Sequence, residues 1–298
     1  MRRKWYGGDS GLTVRMFVTL FLLAAVYIAF LVVLWQVGVG FLPLVFFAAL
    51  LLGVQYYFSD RLVLWTIGAK TVSPSDAPEL YEMIGRLSAL ADLPRPKVAI
   101  INSQIPNAFA TGRSPSSAVV AVTTGLMDRL ERPELEAVLA HELSHVKNRD
   151  VVVMTIASFL STVAFLLIRS YFFFGAGYGQ RRDRGGGALV IVYLVSLLVW
   201  VISFILIRFL SRYREYAADR AGAILTGAPS QLGSALLKIS GVMQRIPQRD
   251  LREVEALNAF FIIPTLKGSV ITELFSTHPS LENRLAALKR LEQEMEGR

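Results

Sequence analysis

Four long apolar blocks dictate what this chain can fold into. They run over about 14–36, 41–58, 151–174 and 188–210. Each is near or above the ~18–20 residues needed to cross a hydrocarbon core of ~30 Å. The first holds no charge after Arg15, the third holds Arg169 alone and the fourth Arg208 alone. Both arginines lie near the ends of their blocks, where a long side chain reaches the interface. Tyr56 and Tyr57 suit an interfacial belt. The first block is longer than the ~7–15 residue core of a cleaved signal, and a second apolar block follows at once. Composition agrees: 53% of residues are hydrophobic and 18% charged, against about 25% charged in soluble domains. That excludes disorder and weighs against a purely cytosolic enzyme.

Four spans put both termini on one side. That side carries twenty-six Lys/Arg, including Arg2, Arg3, Lys4 and Arg15, and the opposite loops carry three: Arg181, Arg182 and Arg184. The bias favours a cytoplasmic location for both polar segments, with most weight on the short N-terminus. The net charge of +8 is then a topology signal, and no nucleic-acid partner is expected. The organisation is a cytoplasmic 1–13, two spans in 14–58, a polar segment 59–150, a membrane hairpin 151–210 and a polar segment 211–298.

Segment 59–150 alternates helix and strand signals. Ser75-Asp76-Ala77-Pro78 reads as a helix start, followed by Leu80, Ile84, Leu87 and Leu90 at helical spacing. Residues 97–102, 107–112 and 118–123 read as strands, and a helix begins near Pro133. Segment 211–298 reads as all-helical, broken at Gly227–Pro229, Pro247, Pro264 and Pro279. Phe260 to Ile263, within 247–275, read as core packing, or as a lid or membrane contact. The expected fold is mainly α, with a small β-sheet in a polar domain built from two cytoplasmic segments.

Cysteine is absent and there are three histidines, so there is no disulfide, thiolate site or cysteine nucleophile. His141-Glu142-Leu143-Ser144-His145 lies inside the Pro133 helix. Residues four apart share a helix face, so both imidazoles can reach one ion with Glu142 beside it, the pattern of a zinc site with a general base. A catalytic zinc needs a third protein ligand. Glu215, in Glu215-Tyr216-Ala217-Ala218-Asp219, is the choice. It follows the fourth span by five residues, and His145 precedes the third by six, or ~9 Å if the helix continues. An antiparallel hairpin brings both motifs out on one side. The Ala-Ala pair permits close helix approach, and Asp219 can accept a hydrogen bond from a ligating His. His278 is left open as third ligand, transition-state donor or surface residue.

The chain resembles the HtpX-type membrane zinc endopeptidases of the gluzincin clan. The resemblance rests on 107–112 (NAFATG), 141–145 (HELSH), 215–219 (EYAAD) and 278–284 (HPSLENR), in that order around an inserted span pair. It implies a gluzincin-like zinc metalloprotease domain with one Zn2+ per chain on His141, His145 and Glu215. It implies Glu142 as base, Asp219 supporting a ligating His, and His278 and Arg284 lining the site to steady the oxyanion. Asn107 and Ala108 would open an edge strand that receives the substrate backbone. The expected partners are the lipid bilayer and polypeptide substrates, membrane proteins among them, cut at the cytoplasmic face in membrane quality control. The spans carry no His, Asp or Glu, which argues against a transporter and against ligands at mid-bilayer.

Overall fold

The structure is a computed structural model. It describes residues 10–37, 67–170, 186–243 and 278–297, with Arg245 and scattered positions between 46 and 65. The chain divides into two compact units, one from Phe58–Val152 and Ser211–Arg298 with the first ten residues, the other from Gly11–Tyr57 and Val153–Leu210.

The apolar unit holds α1 (Ser10–Gln36), most of α5 (Asp150–Ser170) and the first part of α6 (Gly186–Thr226). Among the described residues, three helices are long and apolar enough to cross a membrane, over Thr13–Gln36, Asp150–Arg169 and Val190–Thr226. The 41–58 block lies largely outside the described residues, as do the 175–185 loop and Phe260 to Ile263. Each helix buries only a stripe. Leu23, Tyr27, Phe30 and Leu34 of α1, spaced at helical turns, pack with Ala157, Val163 and Ala164 of α5 and with Val192 and Val199 of α6. Phe17, Phe21, Ile28, Leu194 and Leu198 stay exposed. Helices apolar all round that bury one stripe need an apolar solvent on the others. In such a solvent a hydroxyl needs a partner, and Tyr27 Oη donates to the Ala157 carbonyl at 2.6 Å.

The polar unit is built on a four-stranded sheet, β1 (Lys70–Thr71), β2 (Lys97–Ile101), β3 (Ala108–Thr111) and β4 (Val119–Thr123), in the order β1-β2-β4-β3. The two-residue β1 is too short to leave a periodic signal. β4 is buried along its whole length, parallel to β2 and antiparallel to β3. Gly112 turns the β3–β4 hairpin at φ +130°, where a Cβ would meet the Ala118 backbone at 2.8 Å. One sheet face, with Val98, Val120 and Val122, packs on helices α2 (Pro78–Leu90), α4 (Arg132–Asn148) and α7 (Pro229–Met243). A short α3 (Thr124–Met127) follows β4, and α8 (Leu281–Glu296) ends the described chain.

α4 starts where Pro133 sits in the first turn and Glu131 and Glu134 form a reciprocal capping box. Buried Glu134 also accepts from Ser234 Oγ at 2.6 Å and Lys238 Nζ at 2.8 Å, tying α4 to α7. The helix does not continue into the third span. Arg149 adopts a left-handed conformation at φ 54°, and α5 begins as a separate helix at Asp150. α6, by contrast, runs unbroken from the apolar segment through Glu215 and Asp219.

At Gly222, α6 lies close against α4. A Cβ there would lie 2.8 Å from the His141 backbone nitrogen. Gly222→Ala is expected to lower stability by about 1–3 kcal/mol through overpacking and to weaken metal binding by separating the two helices. Thermal unfolding and a metal titration of the purified variant check both.

Candidate active site

His141 and His145 project from one face of α4, with Glu142 between them, and all three rest in the interior of the polar unit or at its margin. Their ring nitrogens face each other: Nε2 to Nε2 is 3.2 Å. Glu215 arrives from α6, its Oε2 3.7 Å from His141 Nε2 and its Oε1 3.5 Å from His145 Nε2. Zinc bonds of ~2.0–2.1 Å at tetrahedral angles place ligand atoms roughly 3.3–3.4 Å apart. The three spacings bracket that value, so the donor set fits a single zinc-sized ion. Two imidazole lone pairs this close repel unless a proton or cation lies between them.

Each imidazole is oriented through its other nitrogen. His141 Nδ1 lies 2.9 Å from Asp219 Oδ1, and His145 Nδ1 lies 2.5 Å from Asp150 Oδ2. A carboxylate at Nδ1 keeps the proton there and leaves Nε2 as the donor to a metal. Each carboxylate has its own arginine. Arg284, wholly buried, gives Asp219 two hydrogen bonds, from Nε at 2.8 Å and Nη2 at 2.6 Å. Arg214 Nε stands 3.0 Å from Asp150 Oδ2.

His278 is buried, with Nδ1 3.1 Å from Glu215 Oε2. That removes the surface reading and sets it beside the cluster formed by His141, His145 and Glu215. Arg284 Nη1 also reaches within 3.7 Å of Glu215 Oε2. Glu142 accepts a hydrogen bond from the Ala110 amide of β3 at 3.1 Å. Burial pushes its carboxyl above the ordinary range, partly offset by the two histidines.

β3 lies at the sheet edge beside this glutamate. The main chain of Asn107 turns inward: its amide donates to Thr123 Oγ1 at 2.9 Å and its carbonyl accepts from Thr123 N at 2.9 Å. Alternation along the antiparallel pair turns the main-chain groups of Ala108 and Ala110 away from β4, the Ala110 amide towards Glu142, while Ala108 as a residue is buried. Asp150, Arg214 and Ala110 escape a reading of the sequence. Asp150 hides behind the helix break, Arg214 sits one residue outside its motif, and Ala110 contributes only an amide.

The electrostatics set a pH dependence. Burial pulls the His145 imidazole down, but Asp150 and Glu215 override it and raise the pKa to about 9 in the metal-free protein. A raised pKa means that the protonated ring persists up to that pH, so an incoming metal must displace a proton. Apparent zinc affinity is expected to fall by about tenfold per unit as pH drops below 9. Competition with a chelator from pH 6 to 9 measures it, and a flat profile excludes the assignment.

The family described as Peptidase family M48 matches residues 74–292. The chain is 64% identical to a "Protease HtpX homolog" of Moorella thermoacetica, over 99% of both chains. It is 59% identical to a "Protease HtpX homolog 2" of Methanosarcina mazei, over 99% of this chain and 100% of that one. Among solved structures, the crystal structure of S. mikatae Ste24p shares the fold with a TM-score of 0.58 at 21% identity, over 93% of this chain and 66% of that one.

Proposed function

The chain belongs to peptidase family M48 and is a membrane metalloprotease that hydrolyses peptide bonds, and from that premise we propose that it is a zinc-dependent endopeptidase of the cell membrane, working at the cytoplasmic face on damaged or misassembled membrane proteins. One Zn2+ per chain is held by His141, His145 and Glu215. The observation that carries this reading is the convergence of two Nε2 atoms and one carboxylate at tetrahedral spacing, with Glu142 beside them and tied to a sheet edge.

Bound there, zinc supplies the Lewis acidity that polarises a carbonyl and acidifies water. The protein's own groups do the rest. Glu142 takes a proton from the attacking water and passes it to the leaving nitrogen, and its raised affinity for protons suits the holding step. With Nδ1 turned to Glu215, His278 offers Nε2 to the developing oxyanion. Asp219, clamped by Arg284, keeps His141 in register. Ala108 and the neighbouring edge of β3 receive an extended substrate by strand addition, and Asn107 anchors that strand to β4. Main-chain pairing accounts for broad tolerance of substrate sequence.

Glu142→Gln is expected to keep full zinc content and lose about 10²–10⁴-fold in activity. Casein digestion by the detergent-solubilised protein, with and without chelator, measures it, and an active variant removes the glutamate from its role. His278→Ala is expected to lose about 10²–10³-fold in kcat. Because the natural chain has no cysteine, orientation can be read from single introduced cysteines. Glu296→Cys at the end of α8 is expected to resist an impermeant maleimide in intact cells and to react after lysis. Labelling before lysis reverses the topology.

A further inference from the structure

We infer that Asp150 is the positioning residue of His145, its carboxylate ion-paired with Arg214 so that the imidazole aims Nε2 at the metal locus. This rests on the reading of His145 as a ligand.

The geometry comes from a local break. Five residues along an unbroken helix rotate a side chain by about 140°, which would turn position 150 away from His145. The left-handed Arg149 swings the chain, and Asp150 Oδ2 meets His145 Nδ1 at 2.5 Å. Asp150 is 2% exposed, and a buried carboxylate is tolerated only when paired. Its partners are the imidazole and Arg214 Nε at 3.0 Å. Arg214 is on α6, next to Glu215 in sequence, so Asp150 ties the residue beside one ligand to the ring of another. A comparable His–Asp–Arg chain, His141–Asp219–Arg284, comes from a different part of the sequence, with two guanidinium hydrogen bonds where Arg214 makes one ion-pair contact. The plain alternative is that Asp150 only stabilises the first turn of α5 through the helix dipole.

The test uses the full-length protein in detergent, with zinc dissociation measured by chelator competition and ligand geometry read from the visible absorption of the cobalt(II)-substituted protein. Asp150→Ala and Asp150→Asn are expected to weaken zinc binding by about 10–100-fold, the asparagine less, and to alter the cobalt spectrum. Arg214→Gln is expected to weaken binding by a smaller factor, and the double variant Asp150→Asn/Arg214→Gln to be no worse than Asp150→Asn, because the arginine acts through the carboxylate. Should an Asp150 variant fail to fold, Arg214→Gln carries the test through affinity and spectrum. A lowered unfolding temperature with unchanged affinity and spectrum overturns the proposal and leaves Asp150 a helix-start residue. Wild-type protein that binds no zinc, or His145→Ala that binds it normally, overturns the ligand reading itself and this proposal with it.

Discussion

Charge balance in a dry interior is the constraint on which the polar unit depends. Glu142, Asp150, Glu215 and Asp219 are buried around one point, with Arg284 buried and Arg214 nearly so. With neutral histidines, four carboxylates against two guanidiniums leave two negative charges, which a divalent cation neutralises. Unpaired charges in such a place cost several kcal/mol each. The cluster therefore has two reasons to hold a metal: the ligand spacing and the net charge. The surrounding architecture makes sense as the means of holding so many like groups together, from the α4–α7 tie at Glu134 to the Asp219–Arg284 fork.

The helix–helix contact is the second half of that means. Glu215 reaches the histidines because α6 lies close against α4 there. Ala218, Ala221 and Ala223 are all fully buried, and Gly222 touches the His141 backbone. Small residues thus set the distance between Glu215 and the histidine pair.

What could be read from sequence follows what is periodic or chemically rare. Two histidines four apart in a chain with three, long apolar blocks, and an acidic pair beyond the last block all leave marks that survive without coordinates. The Pro78 and Pro133 helix starts and the strands β2 and β4 are also legible, from first-turn proline and β-branched runs, and β3 from the turn at Gly112 that separates it from β4. The features that escaped depend on backbone conformation. Arg149 is a non-glycine in a left-handed turn, which nothing in its identity announces, and it conceals Asp150. Gly222 is one of 22 glycines, and its role emerges only when a second helix is laid against it. The inward-facing main chain of Asn107 is likewise a matter of strand register.

The sheet edge formed by β3 spans four residues, of which Ala108 and Ala110 turn their main-chain groups away from β4, the Ala110 amide to Glu142. An edge of this kind reads conformation before side chains. A folded helix or a paired strand has already spent its amides and carbonyls and can offer none. The proposed strand addition calls for a segment that has lost its own partners and can extend over ~3.3 Å per residue. On the proposed strand addition at this edge, selection between intact and unravelled polypeptides would require no recognition sequence: the structural state of the chain would itself be the signal.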